Sequence, residues 1–156
     1  MYGIKQLIKG LKLSEGSFSL FFVKCDSLDE FNNLVNEVGL SHDVSSLVIP
    51  PDLDSDLPLW IAEHQTSKET PLFVFGLSEL LFVANHESQA IPRHVQKHLG
   101  TMNGNRGGFK INSDSNSNTP DRPIVFCINN ETLANLQILT TDFYGIHSGV
   151  FYPNEL

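Results

Sequence analysis

The chain is short of cysteine, of basic residues and of long apolar runs, and each shortage narrows what it does. Only two cysteines occur in 156 residues, Cys25 and Cys127. Paired-cysteine zinc spacing is absent. Two lone thiols, each within or ending an apolar run, are expected to be reduced and buried. No stretch of about 18 apolar residues exists, so no membrane span is expected. The leading "MYGIKQLIKGLKLSEG" alternates lysine with aliphatics. It lacks the unbroken apolar centre of a signal peptide, so it reads as a helix of the mature protein, with cytoplasmic location as the default expectation.

Bases are scarce: ten lysines and arginines stand against 18 acids, for a formal charge of −8. General nucleic-acid binding is therefore not expected, because neutralising phosphates needs positive surface. The scarcity is uneven. From Asp26 to Glu87 Lys68 is the single base, whereas Ser88 to Ser113 holds Arg93, Lys97, Arg106 and Lys110 and no acid. That basic stretch either folds back onto the acidic half or offers a surface to an anion or an acidic partner.

Glycine is missing where a nucleotide fold needs it most. "FSLFFVKCDSLDEFNNLV" runs from an apolar strand through a polar turn into an amphipathic helix. A phosphate loop at that turn requires glycines, whose backbone N–H groups wrap the phosphates, and a lysine. The turn offers Asp26, Asp29 and Glu30 instead, and carboxylates there repel a triphosphate. A second deficiency follows the third strand. Metal-dependent hydrolases carry an aspartate after such a strand; "PLFVFGLSELL" has Gly76 at that place and Glu79 three residues on. Glu79 reads as a solvated helix carboxylate.

What is present is an alternation of strands and helices. Ile4, Leu7, Ile8 and Leu11 mark one face of a first helix. Strand Phe18–Lys24 is apolar on both faces, as a central parallel strand is. Ser27 and Glu30 form a capping-box pattern. They open a helix with Leu28, Phe31, Leu34, Val35 and Val38 inward and Gly39 at its end. "SLVIP" is a short second strand, residues 57–65 a helix with Pro58 in its first turn, and "PLFVFG" a third strand. A short helix follows that strand, and a longer one spans 90–102. "MNGNRGGF" breaks the chain with glycines. The low-complexity segment 112–121 is expected to be a mobile loop. "RPIVFCIN" is a fourth strand, followed by a helix carrying Leu133, Leu136 and Leu139. A last strand is placed through Val150–Tyr152. The pattern predicts a single α/β domain over 1–156: a three-layer sandwich with a mainly parallel sheet of about five strands and helices on both faces.

Other candidate chemistry is thin. His94 and His98 lie one helical turn apart with His86 nearby, but Arg93 and Lys97 beside them oppose a cation, so no metal site is expected. Cys25 ends a strand, the edge favoured by active sites in open sheets. Asp26 beside it works against a reactive thiolate. In "DFYGIHSGVFYP", Phe143, Tyr144, Phe151 and Tyr152 either pack an edge strand on the core or form an exposed anchor for a partner.

Four segments together resemble the P-loop-NTPase-like, STAND-type module of bacterial signalling and conflict proteins, often fused to tetratricopeptide repeats. They are "GSFSLFFVKCDSLDEFNNLV", "PLFVFGLSELL", "RPIVFCINNETLANL" and "TTDFYGIHSGVF". Where that family has a continuous Leu-Asn-x-x-Arg helix before the fourth strand, Asn103 and Arg106 match but Gly104, Gly107 and Gly108 interrupt it. The resemblance implies a regulatory or scaffolding role, not ATP hydrolysis, since the glycines and carboxylates of a working site are missing. The resulting expectation is a non-catalytic protein-interaction module without a cofactor. Its partner protein would meet the aromatic terminus (Phe143, Tyr144, Phe151, Tyr152) and the basic stretch (Arg93, Lys97). The alternative is a nucleotide-binding domain whose atypical phosphate site uses Arg106 and Lys110 with the surrounding glycine backbone.

Overall fold

The computed structural model describes residues 3–64, 70–82, 91–104, 109 and 122–153. The expected loop 112–121, His86, Arg106 and Lys110 lie outside the described residues. In chain order the elements are α1 (Ile4–Leu13), β1 (Ser19–Lys24), α2 (Leu28–Gly39), β2 (Ser45–Val48), α3 (Leu57–His64) and β3 (Leu72–Phe75). There follow α4 (Leu77–Leu80), α5 (Arg93–Gly104), β4 (Pro123–Ile128), α6 (Asn130–Leu139), α7 (Thr141–Gly145) and β5 (His147–Phe151).

The five strands form one sheet in the order β2-β3-β4-β1-β5, and every pairing is parallel. Alternate residues of β1 divide between two cores. Leu20 and Phe22 join Val74, Phe126, Ile61, Val95, Leu99 and Leu136 on one side. Phe21 and Val23 join Phe73, Val125 and Cys127 with Leu7 and Leu11 of α1 and Phe31, Leu34 and Val38 of α2 on the other. So α1 and α2 cover one face and α3 to α7 the other. Right-handed crossovers place α2 opposite α3 to α7 for this strand order, because the step from β1 to β2 crosses the sheet in one direction and the remaining steps in the other; α1, which precedes β1, joins α2 through Leu7 and Leu11. The three-layer α/β sandwich read from the sequence is thus the fold.

Local chemistry sets the element ends. At α2, Ser27 Oγ accepts from Glu30 N–H at 3.2 Å, the expected cap. The Glu30 carboxylate goes one residue further back than a capping box requires, accepting from Asp26 N–H at 2.9 Å. At α6, Asn129 Oδ1 accepts from Thr132 N–H at 2.8 Å. The last strand starts at His147, three residues before its expected start, and a helix not foreseen in the sequence, α7, precedes it. The cause is long-range: Asn103 Oδ1 accepts from both Asp142 N–H (2.9 Å) and Phe143 N–H (3.0 Å). A side chain 39 residues upstream caps α7, and no local pattern announces it.

Candidate functional site

In an open parallel sheet, ligands favour the crevice beyond the strand carboxyl ends where neighbouring connections part to opposite faces. Here that place lies between β1 and β4, since β1 leads to α2 on one face and β4 to α6 on the other. The protein closes it with its own groups. Cys25 N–H donates to Ile128 O at 2.8 Å, and Asn129 N–H donates to Ser78 Oγ at 3.0 Å. Lys24 Nζ, the one ammonium at the turn, is 2.6 Å from Asp26 Oδ2. The amides of Asp26 and Glu30, which a phosphate would seek, already serve Glu30 and Ser27. The cavity beside Lys24, Cys25 and Glu30 measures about 80 Å³, far below the roughly 300 Å³ at which small-molecule sites begin.

Gly76, at the end of β3, has φ +113°. A Cβ there would stand 2.7 Å from Ile49 O. Glycine is therefore required where hydrolases of this general layout carry their aspartate. Glu79 is exposed on α4.

Cys25 and Cys127 are both free and buried. Burial pushes the Cys25 thiol up to about 11, and the Glu30 and Asp26 carboxylates add to the effect; its Sγ–H donates to Ser27 O at 3.3 Å. Burial likewise holds Cys127 well above the ordinary thiol range, with Cys25 adding to it. Neither is a nucleophile at neutral pH. The folded state keeps these protons while the unfolded chain releases them from about pH 9, so stability is full below that pH and falls as pH rises towards 11. Urea unfolding between pH 8 and pH 10.5 is expected to show a loss on the order of 1 kcal/mol per pH unit per thiol. A Cys25→Ala/Cys127→Ala double variant is expected to lose stability less steeply; equal slopes would mean that the thiols are solvated.

The residues singled out for partner contact separate. Phe143 is fully buried, in ring contact with Phe22, Phe109 and Phe126. Phe151 is buried against Phe21, ring centroids 5.7 Å apart. Neither side chain presents surface to a partner; the gap between sheet and helices takes both rings, which corrects the expectation of an exposed anchor. Tyr144 is half-buried, stacked on Phe22 at 5.7 Å and 8° and touching His147. Tyr152 is half-buried as well. Arg93 is exposed on α5. Lys97 reaches Asp54, with Nζ 2.6 Å from its carbonyl oxygen and 3.7 Å from its carboxylate. That much of the basic stretch does fold back onto the acidic half. The His94–His98 pair diverges: His98 is buried with Nε2 2.8 Å from Leu53 O, whereas His94 is exposed.

An apolar groove was missed in the sequence. It lies between α5 and α6, with Ile91, Val95 and Leu99 on one wall, Asn135, Ile138 and Leu139 on the other, and Leu81 and Thr132 also lining it. Its volume is about 200 Å³. Ile138 is 73% exposed, and Phe82, next in sequence to Leu81, is 64% exposed. One signal was available: "NETLANLQIL" carries Ile138 beside Leu139, outside the Leu133–Leu136 stripe, so α6 has more apolar surface than one buried face uses.

Among the described residues no helix is long and apolar enough to cross a membrane. No family model matches the chain, and no curated protein sequence matches it.

Proposed function

We propose that the chain is a non-catalytic protein-interaction or regulatory module, built on a P-loop-like α/β fold whose phosphate site is degenerate, and that it serves a bacterial signalling or defence assembly in the cytoplasm. The observation that carries the reading is the α5–α6 groove with Ile138 standing exposed at its rim. A groove between two helices suits an amphipathic helix from a partner protein, whose aliphatic residues would seat against Val95 and Leu99. Two further features support it. At the strand-end crevice the amides of Asp26, Glu30 and Asn129 already serve groups of the chain itself, and carboxylates crowd the turn, which disfavours a nucleotide there. And Asn103, one of the two matching residues in the stretch where the family pattern is interrupted, holds the "DFY" segment directly.

Ile138→Asp changes one exposed side chain, so its urea midpoint is expected to match the wild type. Affinity capture from cells that make the natural chain is expected to recover one stoichiometric partner with the wild type and none with Ile138→Asp. Calorimetry with Mg²⁺–ATP is expected to show no binding. Equal capture by both proteins would remove the groove from the reading. Saturable ATP binding lost on Arg106→Ala would replace it with an atypical nucleotide-binding domain.

A further inference from the structure

A cavity of about 490 Å³ opens at the amino-terminal edge of the sheet, the opposite end from the crevice discussed above. We propose that it binds a small organic cation through an alkylammonium group. Its size falls within the roughly 300–1,000 Å³ typical of small-molecule sites.

The chemistry of the walls selects the charge. The C-terminal ends of α1 and α2 both border the cavity, with Glu15 and Gly16 following the first and Gly39, His42 and Asp43 in and after the second. A helix C-terminus is the negative pole of its dipole and attracts cations. The last turn of α2 contains no basic residue to offset it, whereas Lys12 lies in that of α1, so the α2 end is the more negative of the two. Among the described lining residues the charged side chains are the carboxylates of Glu15 and Asp43. The α2 end and the two carboxylates disfavour a phosphate or carboxylate ligand.

Size and donor geometry select an organic cation over a metal ion. Among the described residues no three His, Cys, Asp or Glu side chains converge as a metal ion requires. A bare ion would also leave most of the volume empty. An ammonium carries three donors that can be shared among carboxylates and helix-end carbonyls, and its alkyl stem can lie on Leu40, the exposed leucine of the lining.

The ammonium has two possible sources, a free diamine or a lysine side chain of a docked peptide, and calorimetry separates them. Putrescine and Nα-acetyl-lysine amide are titrated into the full chain at low salt. Single-site saturable binding of at least one is expected; tighter binding of putrescine points to a free amine, tighter binding of the lysine amide to a peptide. Glu15→Gln/Asp43→Asn is expected to weaken binding about tenfold. Gly39→Leu, which adds an apolar side chain at a lining position of ordinary φ, is expected to weaken it while leaving the urea midpoint unchanged or higher. A charge control, Glu63→Gln/Glu79→Gln, removes two carboxylates elsewhere and is expected to leave binding unchanged. Absence of saturable binding, equal weakening by the control pair, or full binding by folded Gly39→Leu would each overturn the proposal.

Discussion

Gly76→Ala is expected to cost about 3 kcal/mol or more of folding free energy. Two separate penalties combine. The residue sits at φ +113°, a conformation that side chains with a Cβ rarely adopt. The new Cβ would also lie 2.7 Å from Ile49 O and 3.1 Å from Ile49 N. Those are backbone atoms just beyond β2, so no side-chain rotation relieves the contact. Strand β2 must retreat, and Ile49 N–H then loses its 2.7 Å bond to Phe75 O. Gly76→Asp meets the same obstacle, so an aspartate cannot be restored here without moving an edge strand. Gly10→Ala is the informative contrast. Gly10 lies inside α1, and an added Cβ would rest 3.5 Å from the Phe21 ring, an ordinary contact. That variant is expected to gain about 0.5–1 kcal/mol from helix propensity. Urea midpoints of the two variants read both effects. A Gly76→Ala protein as stable as wild type would mean that the ends of β2 and β3 lie further apart than described.

Phe143→Ala is expected to lose about 3–5 kcal/mol, a large share of the 5–15 kcal/mol that holds a typical domain together. The ring is fully buried among Phe22, Phe109 and Phe126, with centroid separations of 6.1, 5.3 and 6.1 Å. Removing it opens a void in the larger core and undoes three aromatic contacts at once. The bond from the residue-143 amide to Asn103 is a backbone one that alanine keeps, so the loss is one of packing. Chemical denaturation of the purified chain measures the loss directly. Were Phe143 instead a partner anchor, Phe143→Ala would keep its stability and lose only its partner, the pattern expected of Ile138→Asp. The two variants measured side by side therefore separate core from contact surface.

The order of elements and the parallel sheet were legible in the residues because their signals are local. The apolar runs Leu20–Val23, Leu72–Phe75 and Ile124–Ile128 mark buried strands wherever they fall, and Ser27 and Asn129 cap the helices that follow from within three residues. The carboxylates crowding the first turn were equally plain, because they adjoin one another in the chain. The fates of Phe143 and Ile138 were not legible. Hydrophobicity alone does not say which of two apolar residues near the end of a chain turns inward. That choice rests on Asn103 capping α7 from across the fold, and on the space α5 leaves beside α6. Nor does the sequence distinguish a glycine that merely ends a strand from one wedged against Ile49. Patterning along the chain decided which elements form and which chemistry the first turn refuses; only the docking of distant elements decided where space and exposed apolar surface remain, because both depend on distances between residues that the chain order does not encode.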